Sequence, residues 1–390
     1  MKLFIKRLKQ ASIARKFSKG FFILVSLLPP QKKLVMFESF SGKQYSCNPK
    51  AMFEYMDEHK KEYELLWSVN KQSKASFDEA GIPYVERLSL RWFFKMALAG
   101  YWVTNSRMPS WLPKPKHTTY IQTWHGTPLK RLVADMEEVH MPGTDREKYI
   151  AGFHKEAKNW DYLLSPNKYS TEIFKRAFDY HGEIIEKGYP RNDELIKRNN
   201  TTDILALKLK YKVPVDKKVI LYAPTWRDHE YYGPGKYKFK LQLDLDLMKK
   251  ELGEEYLIIL RMHSFVAEHF DLESYRGFVF DYSRGVDITE LYLISDVLIT
   301  DYSSVFFDYA ILKRPMLFFT YDIELYRGRI RGFYFDLEKE APGPLVMNTQ
   351  QIIEELKKEK VSSSLKPFVS RFNYLDNGSA ARESVEAIFK

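Results

Sequence analysis

DITELYLISDVLITDYSSVFFDY, residues 287–309, is the stretch whose reading decides the fold. Val297-Leu298-Ile299-Thr300 is a short, β-branched apolar run with the character of a buried strand. Asp301-Tyr302-Ser303-Ser304 then turns the chain into an apolar-periodic segment that predicts a helix from about Val305. Such a turn brings two hydroxyls to a helix start, where backbone N–H groups lack intrahelical partners and attract anions. Ser is also favoured at an N-cap with no ligand present, so this stretch taken alone supports both an anion cradle and plain capping.

Working outward, the same strand-then-loop pattern recurs. Towards the N-terminus, strands are expected at Leu34–Phe37, Tyr63–Val69, Tyr101–Thr104, Thr119–Gln122, Trp160–Leu164 and Glu183–Lys187. Helices are expected at Lys50–His59, Trp92–Ala99 and Glu172–Phe178, the last capped by Ser170 or Thr171. A polar helix over Asp193–Tyr211 opens a second half, with strands at Lys218–Tyr222, Tyr256–Leu260, Phe278–Asp281 and Pro315–Phe319, the last closing the sheet. The tail from Thr349 to Lys390 reads as helical and able to pack back across the first half. Short apolar strands alternating with helices imply parallel sheets covered on both faces, with ligands bound at the strands' C-terminal ends. A joint is expected near residue 190, where Gly188 and Pro190 interrupt the pattern.

The 390 residues suffice for two cores, and 45% apolar with 29% charged content is that of a globular protein. A lone cysteine, Cys47, excludes an intramolecular disulfide framework and a cysteine zinc site, and fits a reducing compartment. The net charge of +10 is concentrated: nine basic residues and no acid lie within residues 1–33, leaving the body close to neutral. That confinement argues against nucleic-acid binding, which calls for basic charge along a groove. Phe21–Leu28, an apolar cluster within the basic arm, is too short to span a bilayer and lacks the cleavage site of a signal peptide. A basic amphipathic segment of this kind suits the surface of an anionic membrane; the alternative is a helix docked on the protein's own core.

Several loops after strands hold groups with chemistry. His125 follows a strand and precedes Gly126 and Pro128; an imidazole is the side chain best placed to take a proton from a hydroxyl near neutral pH, and a glycine beside it admits close approach. An isolated histidine is as often structural. Arg191 lies beside the joint. Ala223-Pro224-Thr225-Trp226-Arg227 follows one strand and Arg261-Met262-His263 another, where a cation and an imidazole two residues apart share a face and suit phosphate. His229–Lys240 is a long loop whose Gly-Pro-Gly-Lys lacks the spacing of a nucleotide-binding P-loop. Asp244 and Asp246 have the spacing of a metal pair without a strand end to present it. With no GxGxxG, CxxC, HExxH or GxSxG, two Rossmann-like halves facing each other fit a GT-B arrangement better than a dehydrogenase or an ATPase.

The motifs TWHGTPLK (123–130), GYPRND (188–193), APTWR (223–227), RMH (261–263) and DVLITDYSSVFFDYA (296–310) together resemble the CDP-glycerol glycerophosphotransferase family of teichoic acid synthesis. The resemblance implies an α/β, GT-B-like peripheral enzyme on the cytoplasmic face of the membrane. Such an enzyme moves glycerol phosphate from CDP-glycerol to a hydroxyl of an undecaprenyl-diphosphate-linked saccharide acceptor, releases CMP, and uses no cofactor or metal. It implies four segments: residues 1–30 membrane-associating, 31–190 the acceptor domain, 191–365 the CDP-glycerol domain, and 366–390 a helix returning to the acceptor domain. By the same resemblance His125 is the base and His263 holds the diphosphate. Donor binding falls to Gly126, Thr127, Arg191, Pro224, Thr225, Arg261, Met262, Ser303, Ser304 and Asp308, with Arg227 added on charge. The large extra N-terminal region of some members is not seen, which favours a compact primase or short polymerase. Ribitol phosphate transferases share these motifs, and a GT-B glycosyltransferase using a nucleotide sugar shares the architecture.

Overall fold

Strands rich in β-branched and aromatic residues, buried on both faces, belong in parallel sheets, and two such sheets organise the chain. The computed structural model describes residues 2–138, 145–225, 227, 231–233, 236–237, 240–262, 271–326, 332–358 and 365–389, with side chains from residue 14 and outside 231–239. The first sheet comprises β1 (Gln31–Glu38), β2 (Glu64–Val69), β3 (Tyr84–Glu86), β4 (Ala99–Thr104), β5 (Thr119–Gln122), β6 (Tyr162–Ser165) and β7 (Glu183–Glu186). Its order is β3-β2-β1-β4-β5-β6-β7, parallel throughout. After β8 (Lys218–Tyr222), a small antiparallel pair forms from β9 (Tyr231–Gly233) and β10 (Lys236–Tyr237). The second sheet adds β11 (Tyr256–Leu260), β12 (Val279–Asp281), β13 (Val297–Thr300), β14 (Met316–Phe319) and β15 (Leu345–Val346). They run parallel in the order β12-β11-β8-β13-β14-β15.

Alternation along β13 shows how both faces are filled. Leu298 points into a cluster with Phe306, Phe307 and Phe318, and Val297 and Ile299 into another with Leu317, Ile352 and Met248. Beyond the second sheet, Phe368 and Phe372 of the helix Leu365–Phe372 join the first of these clusters. The last helix, Ala380–Ile388, crosses to the first lobe, where Val385, Ile388 and Phe389 pack with Phe37, Met52 and Trp67.

The N-terminal helix, Lys2–Val25, divides its residues more along its length than around it: basic up to Lys19, apolar from Phe21. Phe21 meets Phe93 and Phe94 edge-on at 5.9 and 5.8 Å, and Phe22 reaches Trp102, so this helix docks on the helix Leu90–Leu98. Beside that contact, Phe17 and Leu24 on the helix and Leu27 just after it are between 67 and 76% exposed. Among the described residues no helix is long and apolar enough to cross a membrane.

The structure departs from the sequence reading at several elements. β3 and β15 extend the sheets beyond the expected edges, so Pro315–Phe319 does not close the second sheet. Asp193–Tyr211 is two helices, Asp193–Lys197 and Thr201–Lys210, because Asn200 accepts from Asp203 N–H at 3.0 Å and starts the second afresh. Likewise Asn167, accepting from Ser170 N–H at 2.8 Å, caps Lys168–Phe178 in place of Ser170 or Thr171.

Candidate active site

The loop after β5 carries His125 in a fixed pose. Trp124, just before it, is held in the left-handed region at φ 51, uncommon for a bulky residue. Its N–H donates to Gln122 Oε1 at 3.0 Å, its carbonyl accepts from Asn48 Nδ2 at 3.2 Å, and its indole packs on Phe153, Phe174 and Phe178. The His125 ring stacks on Trp124 with centroids 4.6 Å apart. Its Nδ1 lies 2.7 Å from the Asn105 carbonyl. A carbonyl can only accept, so Nδ1 carries the proton and Nε2 the lone pair. As a whole residue His125 keeps solvent exposure. Enclosure of the ring disfavours imidazolium, the nearby Arg191 charge adds to this and the Asn105 carbonyl opposes it, leaving the pKa lowered to about 4. At neutral pH this is an uncharged imidazole whose Nε2 accepts no hydrogen bond from the described residues.

Across from it stands the turn after β13. Ser303 and Ser304 are half-buried. Ser304 occupies the N-cap, yet its hydroxyl makes no capping bond, and Ser303 Oγ reaches Val305 N–H only at 3.5 Å. Plain capping therefore does not account for the two hydroxyls. The helix that follows, Val305–Tyr309, is five residues long before a 3₁₀ turn, so its macrodipole is small and the local amides and hydroxyls carry any attraction for an anion. The two loops meet: a Cβ on Gly126 would lie 2.8 Å from Ser304 Oγ.

The neighbouring strand ends supply more of the second lobe's surface. Arg261, after β11, is largely enclosed and donates from Nη1 to the Tyr282 carbonyl at 2.6 Å. Burial lowers its pKa, Asp287 being the foremost opposing charge, and among the described residues no carboxylate pairs with it directly. A dehydrated guanidinium without an ion-pair partner suits an incoming anion. Met262 is buried, its N–H donating to Ser283 Oγ at 2.9 Å. Thr225, beside buried Pro224, donates from N–H and Oγ1 to Asp301 Oδ1, both at 2.9 Å. Arg227 is placed differently from a free cation. It pairs with Asp301 at 2.9 Å and Asp322 at 2.7 Å, within the rings of Tyr302, Tyr321 and Tyr326, so the charge that singled it out is already matched. His263 lies outside the described residues.

Arg191 and Asp308 are found together. Arg191 Nη2 bonds Asp308 Oδ2 at 2.7 Å with both side chains about nine-tenths buried. Burial works against both charges; Arg191 stays protonated, with Asp308 its chief support, and the Asp308 carboxyl sits above its ordinary value. Thr127, on the same loop as His125, is buried. Sequence reasoning missed Asn48 and Asn105, which orient that loop, and Lys50, which pairs with Asp287 of the second lobe at 3.3 Å. The only signal for Asn48 was its place before Pro49 at a helix start, which reads as capping.

Asp244 and Asp246 serve structure: Asp244 caps the helix Leu245–Leu252 by accepting from Leu247 N–H at 2.9 Å, and Asp246 accepts from Tyr275 Oη at 2.9 Å. Among the described residues no group of three or more His, Cys, Asp or Glu is arranged to hold a metal ion.

Comparison with known proteins places this geometry. The chain is 57% identical to a teichoic acid poly(glycerol phosphate) polymerase of Bacillus subtilis, matched over its whole length but spanning 55% of that protein. It is 46% identical to a teichoic acid glycerol-phosphate transferase of Staphylococcus aureus, with 99% of each covered. The solved structure of a variant of the wall teichoic acid polymerase TagF, soaked with CDPG, superposes with a TM-score of 0.88 at 41% identity, covering 99% of this chain and 96% of that one. The sheets above are thus those of a GT-B-like fold. A family profile matches residues 21–390, and the chain belongs to the CDP-glycerol:poly(glycerophosphate) glycerophosphotransferase family.

Proposed function

We propose that this chain transfers glycerol phosphate from CDP-glycerol to a hydroxyl on a lipid-linked teichoic acid acceptor and releases CMP. The observation that carries the reading is His125: an uncharged imidazole, its Nδ1 proton fixed on Asn105 and its Nε2 unbonded among the described residues, on a loop that abuts Ser304 of the other lobe. The acceptor oxygen attacks the phosphorus that bears glycerol, its proton passes to His125 Nε2, and the bond from that phosphorus to the bridging oxygen breaks. Negative charge gathers on the departing CMP. Arg261, the hydroxyls of Ser303 and Ser304 and the amides at their turn stabilise it, with His263 as a further diphosphate ligand. Gly126, Thr127, Pro224, Thr225 and Met262 line the approach, and Arg227 holds Thr225 and Asp301 in place.

The membrane-facing part of the reading is supported by the exposed Phe17, Leu24 and Leu27 beside a basic helix, a combination that suits an anionic lipid surface. An undecaprenyl-diphosphate-linked saccharide at the cytoplasmic face would then meet the lobes from that side. The test is incubation with radiolabelled CDP-glycerol or CDP-ribitol and a disaccharide-lipid acceptor, resolving product length on a gel. Label entering the lipid product from CDP-glycerol, with CMP released in equal amount, is expected. Transfer from CDP-ribitol alone, or none from either, would overturn the proposal.

A further inference from the structure

We propose that the crevice between the turns after β1 and β4 binds the phosphodiester next to the attacking hydroxyl of the acceptor chain, with Arg107 as its cation and the hydroxyls of Ser41 and Ser106 as further donors. The inference rests on the reading of His125 as the base and deepens it, because it commits the acceptor to a chain end that already carries glycerol phosphate. β1 and β4 lie side by side at the centre of the first sheet. After β1 the chain leaves for one face, where Met52 and Phe53 of the helix Cys47–His59 pack with Phe37. After β4 it leaves for the other, where Met108 and Leu112 join the cluster of Trp102. Connections that part in this way open a crevice at the strands' C-terminal ends, the place where parallel sheets take ligands. His125 stands beside it, on the loop after β5, the next strand.

The two turns are tied to each other and to the base. Phe40, Ser41 and Gly42 are left-handed in succession, at φ 48, 60 and 78. Glycine takes this region freely, but a bulky residue rarely does, and such strain gathers at functional sites. Phe40 N–H donates to Asn105 Oδ1 at 2.8 Å and Ser41 N–H to Ser106 Oγ at 3.1 Å. Asn105 is also the residue whose carbonyl fixes His125 Nδ1, and the Phe40 ring meets the imidazole edge-on with centroids 5.8 Å apart. Ser41 and Ser106 are half-buried, and among the described residues neither hydroxyl donates a hydrogen bond.

Arg107 supplies the charge. It is exposed, its guanidinium lies 4.7 Å from the Phe153 ring and 5.5 Å from that of Tyr149, and it bonds to no carboxylate among the described residues. Phe153 in turn packs on Trp124, on which His125 stacks, so a continuous aromatic layer links cation and base. An arginine held by ring faces keeps its planar fork for a phosphate. A neutral saccharide end would leave this cation unmatched, whereas a glycerol phosphate chain brings an anion one glycerol unit from the attacking oxygen.

The experiment measures initial rates with radiolabelled CDP-glycerol for the parent, Arg107→Gln and Arg107→Lys. Two acceptors are varied: a disaccharide-lipid, and the same lipid extended by one glycerol phosphate. Thermal melting follows folding, and His125→Ala runs in parallel. KM for the extended acceptor is expected to rise about 10- to 100-fold in Arg107→Gln and less in Arg107→Lys, with KM for CDP-glycerol within about threefold of the parent. An unchanged acceptor KM overturns the subsite, and a donor KM that rises in step makes Arg107 a donor contact instead. An equal rise for both acceptors moves the cation to the lipid diphosphate or the saccharide and overturns the chain-end assignment. Should Arg107→Gln fail to fold, Ser41→Ala/Ser106→Ala decides, with a rise of about 3- to 10-fold for the extended acceptor expected. An inactive His125→Ala beside a parent-like acceptor KM in Arg107→Gln overturns the subsite alone, whereas full turnover in His125→Ala overturns the base on which its placement rests.

Discussion

At His125 the decisive quantity is which protonation state the site favours. The lowered pKa means that the base form is present above about pH 4 and is lost as pH falls through that value. The acid limb of kcat/KM should therefore lie well below the ordinary histidine range; a limb centred near 6.5 would assign the limiting proton to another group. His125→Ala should reduce turnover about 10²- to 10⁴-fold while donor affinity, measured by protection against thermal unfolding, changes little. Arg227 makes the opposite prediction. With Asp301 and Asp322 both bonded to it in a buried site, Arg227→Met strands two carboxylates and should cost on the order of 3–5 kcal/mol of stability. A variant that melts with the parent but binds CDP-glycerol poorly would restore Arg227 to the donor's surface.

Among elements, the N-terminal helix offers two faces with different consequences. Phe22 is fully buried against Phe93 and Trp102, so Phe22→Ala should destabilise the fold by about 3–5 kcal/mol. Leu24 and Leu27 are 67 and 76% exposed, so Leu24→Asp/Leu27→Asp should leave the melting temperature almost unchanged and weaken co-sedimentation with anionic vesicles. Equal vesicle binding by parent and variant would end the membrane role of this face. The same contrast explains what was legible in the sequence. Strands such as Lys218–Tyr222, Tyr256–Leu260 and Val297–Thr300 are continuous apolar runs bounded by polar turns, a local signal, and the structure has them at the residues expected. β3 and β15 have three and two residues and exist because a neighbour offers an edge, which no local pattern records. In the site, His125 and Ser303-Ser304 stood out because their chemistry is unusual after a strand. Asn48 and the Arg191–Asp308 pair are defined by contacts spanning 76 and 117 positions in the chain, and only folding brings those together.

On the scale of the whole molecule, the lobes are joined around a set of buried carboxyls. Asp193 accepts from the N–H groups of Ala380 and Ala381, both at 2.9 Å, and so fixes the returning C-terminal helix. Asp376 accepts from Asn192 Nδ2 at 3.2 Å and Asn373 Nδ2 at 2.9 Å, and Asn192 also reaches Asp308. Burial raises the pKa of all three carboxyls above the ordinary value, with that of Asp376 pushed up to about 7 against the help of its amide donors and with the charges of Asp308 and Asp193 adding to the rise. A carboxyl raised in the folded state binds more protons there than when unfolded, so its stabilising effect is complete below the unfolded value near 4 and is lost as pH rises through the folded one. Among groups whose pKa is lowered on folding, Asp135, Glu251 and Asp336 act in the opposite sense only below about pH 4, whereas His125, lowered to about 4 from an ordinary value near 6.5, binds its proton only when unfolded between those values and so offsets part of this window. The joint should therefore loosen from the acid side of neutrality upward: in a His125→Ala background, which removes the opposing group, the thermal midpoint at pH 6 should exceed that at pH 8. Asp376→Asn, which cannot ionise, should shrink that difference by raising the pH 8 value. A midpoint that climbs from pH 6 to pH 8, or a difference left intact in Asp376→Asn, would show that the charge at this joint is not what couples the lobes to pH.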